Sequence, residues 1–268
     1  MSLLQGKTVL VTGATKGFGK SFALNAAQEG ANVVIVSKAV HINNINKDTI
    51  FTLADDIEKQ GGSALSIQTD IRYDDQIERA INQTLEHFGA LDIIVNAANV
   101  HVGSSTVQMD MSNFDLMHQV LPRSFFLFCK YAANHLADSQ NPHILTLAPN
   151  FKDLYESDYS KTGYALNCLG MTTMVKTLSE EFKDSGIAVN ALWPKGPIQD
   201  FENEFFALQD PDAEPLMVDI LAKAALQIFQ QPANQFTGRY TYDRDLIEGT
   251  SNLTVDDFVP KQLAPLDD

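Results

Sequence analysis

Lys7-Thr8-Val9-Leu10-Val11 followed by Thr12-Gly13-Ala14-Thr15-Lys16-Gly17-Phe18-Gly19 is the stretch on which the fold turns. Its first five residues are largely apolar and β-branched, as in a strand buried on both faces. The glycine-punctuated run must then turn the chain and open a helix. Gly13 permits a tight turn, Gly17 lets the backbone approach a pyrophosphate, and Gly19 allows close packing of helix on sheet. The first N–H groups of such a helix lack intrahelical partners and sit at the positive end of its dipole, so they suit a phosphate. A glycine cluster carries this meaning only between a strand and a helix, and both are in place here. Thr12, Gly13, Thr15, Lys16, Gly17, Phe18 and Gly19 are therefore candidate cofactor-binding residues. The bland alternative is an ordinary strand–helix turn.

Working outward, Asn32 to Ser37, Ala64 to Gln68, Leu91 to Val95, His143 to Leu147 and Ala188 to Leu192 read as further strands. Helical periods lie between them. Ile77, Ile81, Leu85 and Phe88 share one helix face, and Met171, Val175, Leu178 and Phe182 share another. This alternation predicts an α/β fold, a doubly wound parallel sheet of Rossmann type, as a single dinucleotide-binding domain over residues 1–268. Three segments are irregular: the polar run His41 to Lys47, residues 195–215, and an acidic tail over 243–268. The second carries Pro197, Pro211 and Pro215 with Phe201, Phe205 and Phe206. It follows the sixth strand on the side where such sheets bind ligands, so it is the candidate lid or substrate loop.

Composition narrows the class. The 268 residues carry a formal net charge of −15, which disfavours nucleic acid and anionic membrane as partners. Two cysteines, Cys129 and Cys168, are too few for a disulfide scaffold. No stretch is long enough to span a membrane and no signal peptide is evident, so a cytoplasmic location is expected. His41, His87, His101, His118, His135 and His143 show no paired metal spacing, and no metal is expected.

Local charge bears on the cofactor. An NAD site needs a carboxylate at the end of the second strand, to accept from the ribose 2′-hydroxyl. Ser37 stands there, followed by Lys38. A hydroxyl and a cation suit a 2′-phosphate, so NADP is favoured over NAD. Lys16 adds a second cation in the glycine turn.

The Gly-x-x-x-Gly-x-Gly spacing with threonine ahead of it resembles the short-chain dehydrogenase/reductase family, over nearly the whole chain. Asp70-Ile71 is similar to the family's segment with an acidic residue after the third strand, which implies contact with the adenine. Asn96-Ala97-Ala98-Asn99 is similar to the family's Asn-Asn-Ala-Gly segment, and Pro194 lies in a segment similar to its Asn-x-x-x-Pro-Gly. Trp193-Pro194-Lys195, Phe236-Thr237-Gly238 and the long loop after the second strand most resemble the hydroxysteroid-dehydrogenase-like-2 branch. The lipid-carrier domain of some members of that branch is not expected in these residues. The resemblance implies a small-molecule substrate. It also implies a homodimer or homotetramer formed through two long helices, Ser112–Ala137 and Tyr159–Phe182.

It further implies a catalytic tetrad, of which little is present. The tyrosine position is Tyr164, fixed by the run Gly170-Met171 to Glu180-Glu181-Phe182. Four residues on stands Cys168 where a lysine would lower the tyrosine pKa and hold the nicotinamide ribose. No Tyr-x-x-x-Lys occurs anywhere in the chain. Lys161 shares a helix face with Tyr164 but should lean away from the ribose. The serine position falls in Thr146-Leu147-Ala148-Pro149, where neither Ala148 nor Pro149 donates from its side chain. The asparagine position falls on Leu121, and Pro122 after it predicts a kink. Tyr164 is thus the one candidate catalytic residue. The sequence favours an NADP(H)-binding protein with impaired alcohol–carbonyl chemistry. The alternatives are an active oxidoreductase using Tyr164 with other helpers and a nucleotide-free scaffold subunit.

Overall fold

A computed structural model describes residues 2–42, 48–156, 162–199, 215–250 and 252–260. The strands are β1 (Thr8–Thr12), β2 (Asn32–Ser37), β3 (Ser63–Gln68), β4 (Ile93–Asn96), β5 (His143–Leu147), β6 (Ala188–Trp193) and β7 (Tyr240–Tyr242). The helices are α1 (Gly17–Gln28), α2 (Ile50–Lys59), α3 (Asp74–Phe88), α4 (Met111–His118), α5 (Ser124–Leu136), α6 (Phe151–Glu156), α7 (Thr162–Glu181), α8 (Asp219–Phe229) and α9 (Asp243–Glu248). The strands form one parallel sheet in the order β3-β2-β1-β4-β5-β6-β7. This is the doubly wound sheet the strand–helix alternation predicts. The order reverses between β1 and β4, which opens a crevice at their C-terminal ends.

The apolar strands are sorted by the pleat. Leu10, Val34, Val36, Ile94, Ile144 and Val189 enter one core, beneath α3, α5 and α7. Val9, Val11, Val33, Ile35, Ile93, Val95 and Leu145 enter the other, beneath α1, α2 and α8. Each such side chain contributes about 1.5–3 kcal/mol on full burial, before conformational entropy is charged against it.

The structure adds to and corrects the sequence reading. β7 was not anticipated. The segment read as an acidic tail begins with α9 and continues in a 3₁₀ turn, Val255–Phe258. Ile247 and Phe258 are buried there against the second core, while Asp245 and Glu248 face solvent. The stretch read as one long helix from Ser112 to Ala137 is α4 and α5 joined by a π turn, Gln119–Arg123. Pro122 has no N–H to give to the helical ladder, and the extra residue of a π turn accommodates that. Of residues 195–215 only 195–199 and 215 are described, with Ile198 bridging to Leu216. Phe201, Phe205, Phe206, Tyr159 and Lys161 lie outside the described residues.

Candidate functional site

Three strand ends are tied together at the crevice. Thr12 Oγ1 donates to Asn96 Oδ1 at 3.2 Å and accepts from the N–H groups of Ala97 and Ala98, each at 3.1 Å. Asn96 Nδ2 then donates to Thr146 Oγ1 at 3.1 Å. Thr12, Asn96 and Thr146 are all buried. Thr12 and Asn96 thus spend their side chains fixing the crevice wall. Their place in the site is to hold the backbone of Ala97 and Ala98 against the glycine turn.

The turn itself needs its glycines. Gly13 has φ +64°, and a Cβ there would lie 2.7 Å from Ala98 Cα. A Cβ on Gly19 would lie 2.5 Å from the carbonyl oxygen of Gly13, so the helix starts folded tightly over its own turn. Lys16 caps α1 in an extended conformation without a side-chain hydrogen bond to the first turn. The N-terminal N–H groups of α1 are therefore not taken by a cap, which suits an anion. Phe18 is buried in the core and Thr15 is nearly so.

Beside the turn lies the edge formed by β2 and β3. Ser37 Oγ is 3.5 Å from Thr15 Oγ1 and accepts from Ala39 N–H at 3.2 Å. Lys38 and Lys16 are exposed. Asp70 accepts from Arg72 Nε at 2.9 and 3.0 Å through its two oxygens, and again from Arg72 Nη2. The Arg72 guanidinium holds the Asp70 carboxyl below the usual carboxylate range, outweighing the effect of burial, and Lys38 adds to this. Ile71 is buried in the first core.

The other tetrad positions carry apolar groups within the core that holds Tyr164. Leu121, Ala148 and Cys168 are buried in the same core as Tyr164. Burial pushes the Cys168 thiol up to about 12, against a smaller opposing pull from the Tyr164 hydroxyl. A thiol that stays protonated provides no positive field. Tyr164 is only 2% exposed. Its hydroxyl donates to Asn99 Oδ1 at 3.5 Å, and the His101 ring meets it edge to face at 4.7 Å between centroids. Pro149 offers only its carbonyl, which accepts from Thr172 Oγ1 at 2.7 Å.

Past Pro194, Lys195 is engaged by the segment that follows β7. Its Nζ pairs with Asp245 at 2.6 Å, and its N–H donates to buried Asp243 at 2.9 Å. Burial raises the Asp243 carboxyl. Tyr242 donates to Asp153 at 2.8 Å, and Asn150 donates to Tyr242. Among the described residues no group of three or more His, Cys, Asp or Glu side chains is placed to hold a metal. None of the described helices is long and apolar enough to cross a membrane.

Sequence reasoning set Thr146 aside as lying too deep on its strand, and missed Asn99, His101 and Arg72. Asn99 left one signal: it stands where the resemblance has glycine, so a side chain was due to project from that loop. Arg72 left another, a cation two residues past a carboxylate on the same turn.

Known proteins bear on this geometry. The model of the short chain dehydrogenase family matches residues 7–204. The chain is 40% identical over 247 residues to hydroxysteroid dehydrogenase-like protein 2 of Danio rerio, covering 91% of this chain and 59% of that protein. It is 36% identical over 256 residues to the Homo sapiens protein of that name, covering 94% of this chain and 60% of that protein. The chain thus spans about three fifths of the length of these curated relatives. A crystal structure of a short chain dehydrogenase from Mycobacterium thermoresistibile matches with a TM-score of 0.83 at 32% identity, over 94% of this chain and 90% of that one. With its glycine turn, its switch-point crevice and this match over most of its length, the chain belongs to the short chain dehydrogenase family.

Proposed function

We propose that this chain binds NADP(H) at the crevice between β1 and β4 and that its ordinary alcohol–carbonyl hydride transfer is impaired. A bound nicotinamide would supply or accept the hydride. The observation that carries the reading is a contrast within one site. The glycine turn and the uncapped start of α1 suit a pyrophosphate. The other tetrad positions are filled by the apolar, buried Leu121, Ala148 and Cys168. A carbonyl reductase needs a proton donor with a matched pKa and groups that orient the carbonyl oxygen. None of those three side chains does either.

Thr12, Gly13, Thr15, Lys16, Gly17, Phe18 and Gly19 would form the pyrophosphate side, and Ser37 with Lys38 the 2′-phosphate side. Asp70, Ile71 and Ala97 would line the adenosine half, with Asn96 holding the loop there through Thr12 and Thr146, and Pro194 would line the nicotinamide end. Exposed Lys16 and Lys38, with no carboxylate at Ser37, support NADP(H) over NAD(H). The test is a calorimetric titration of NADPH and NADH, followed by a carbonyl and alcohol screen. NADPH should bind more tightly, and Lys38→Glu should remove that margin. Turnover at about 1 s⁻¹ or faster, an ordinary enzymatic rate, would sink the impaired reading.

A second reading, an active oxidoreductase using Tyr164 with other helpers, has one observation in its favour. The Tyr164 hydroxyl keeps a polar partner in Asn99, with His101 against its ring. If any activity found in the screen is unchanged in Tyr164→Phe, Tyr164 is not its acid. Homo-oligomer formation through α5 and α7 is also proposed. Phe126 on α5 and Leu166 on α7 support it, at 51% and 53% exposed.

A further inference from the structure

The end of β3 contains an acid that is already engaged. In a dinucleotide whose pyrophosphate lies on the start of α1, the adenosine ribose falls at the end of β2. The base is the next group outward, and the next strand outward is β3. Ser37 and Gln68 are register partners, and Thr69 N–H donates to the Ser37 carbonyl at 3.1 Å. Asp70, one residue further and just past the end of β3, is therefore the carboxylate that this strand delivers to the base position.

A free carboxylate there would accept from the exocyclic amine of adenine. This carboxylate is not free. Arg72 Nε donates to both oxygens at 2.9 and 3.0 Å, Arg72 Nη2 donates again, and Arg72 N–H donates at 3.2 Å. The pairing is a fork on a carboxylate, the strong geometry for guanidinium. The arginine is also fixed from behind. Arg123, at the end of the π turn, donates from Nη1 to the Arg72 carbonyl at 2.8 Å and pairs with Asp74. Arg72 Nη1 makes no hydrogen bond to a described residue, and the side chain is 33% exposed. The polar group of this pair left without a partner among the described residues is therefore a donor, where an unpaired aspartate would be an acceptor.

We infer that Arg72 sets the base selectivity of the dinucleotide site. It withdraws the Asp70 carboxylate from an exocyclic amine and presents guanidinium N–H groups instead. A purine with an oxygen at the 6-position, which accepts, binds at least as well as adenine, whose 6-amino group donates. Arg72 acts as a specificity-determining residue, and Arg123 positions it. The inference rests on the dinucleotide-binding reading and deepens it.

The experiment compares NADPH with its hypoxanthine analogue, reduced nicotinamide hypoxanthine dinucleotide phosphate, by calorimetry on the full chain. The wild type should bind the analogue as tightly as NADPH or more tightly. Arg72→Ala frees Asp70 and should shift the ratio toward adenine by about tenfold, the worth of one hydrogen bond to a charged group. Arg72→Lys keeps Asp70 paired and should leave the ratio near that of the wild type, whereas a merely structural role for Arg72 would leave the ratio unmoved in the alanine variant as well. Arg72→Met, which fills the space without a donor, replaces the alanine variant if that variant does not fold. A wild type that binds both nucleotides but prefers NADPH tenfold overturns the inference and leaves the binding reading intact. A ratio unmoved in Arg72→Ala or Arg72→Met does the same. Failure to bind either nucleotide overturns both.

Discussion

Thr12 Oγ1 donates to Asn96 Oδ1 across the switch point, joining the ends of β1 and β4 by one bond of 3.2 Å. The same oxygen accepts from two backbone N–H groups of the following loop, at Ala97 and Ala98. A single hydroxyl therefore decides where the crevice wall stands. Thr12→Val keeps the shape of the side chain and removes all three bonds. Groups left unsatisfied in a buried setting cost about 1–3 kcal/mol each. Partial exposure of Ala97 and Ala98 tempers this, and a loss of about 2–4 kcal/mol is expected in denaturant unfolding. Thr12→Ser should recover most of it. If Val and Ser unfold alike, the network is not what holds the wall.

Gly13 carries two separate demands, a positive φ and a close approach by Ala98. Gly61 shares only the first, with φ +83° and nothing within 4 Å of an added Cβ. Gly61→Ala should cost about 1–2 kcal/mol, the left-handed penalty alone. Gly13→Ala should cost clearly more, because the Ala98 backbone cannot move aside without breaking its bond to Thr12. Equal losses in the two variants would mean that the loop yields and that the close approach is not a constraint.

These two sites show what local sequence can reveal. The glycine turn is legible because its constraints act within a few residues, and the inner strands are legible because both faces are apolar. The vacant tetrad is legible for the same reason: leucine, alanine and cysteine lack the needed groups wherever they point. Partnership is different. Asn99 and Tyr164 lie 65 residues apart in sequence, and nothing in their spacing says that one will accept from the other. Arg72 is close to Asp70 in sequence, yet its closing onto the carboxylate depends on rotamers and on Arg123 behind it. β7 escaped notice because three residues, Tyr-Thr-Tyr, are too short to establish a period. The packed segment after it was masked by its acidic composition, since the two anchors, Ile247 and Phe258, are few and far apart.

His143 opens β5 and is fully buried. Its Nε2 is 3.1 Å from the Gln231 carbonyl, which must accept, so Nε2 carries the proton and Nδ1, which has no partner among the described residues, does not. Burial lowers its pKa to about 4, against an ordinary value near 6.5. The unfolded chain therefore takes up a proton before the folded one does. Stability should begin to fall below about pH 6.5 and finish falling near pH 4, by about 3 kcal/mol in all. His143→Gln can retain the bond to Gln231 without titrating, so its unfolding free energy should change less across that window. A wild type and variant with parallel profiles would remove His143 as the cause.

Asp92 should govern a lower window, at the opposite end of the sheet from the crevice. Burial raises its carboxyl, but bonds from Ser139 Oγ, Thr8 N–H and Lys7 Nζ outweigh it and leave the pKa below the ordinary value. Its stabilising effect is thus fully present above about pH 4 and is lost as pH falls through the depressed value. Asp92→Asn keeps the shape but turns one acceptor into a donor facing the Lys7 ammonium, the Thr8 N–H or Ser139. It should cost about 2–3 kcal/mol at pH 7, as expected for a buried network that loses a charged acceptor. Its acid limb should also be shallower below pH 4, while the fall between pH 6.5 and 4 should persist because His143 is untouched. The double variant with His143→Gln should flatten both limbs. The two sites are linked through the backbone, His143 N–H donating to the Asp92 carbonyl at 3.1 Å, so any departure from additivity measures that coupling.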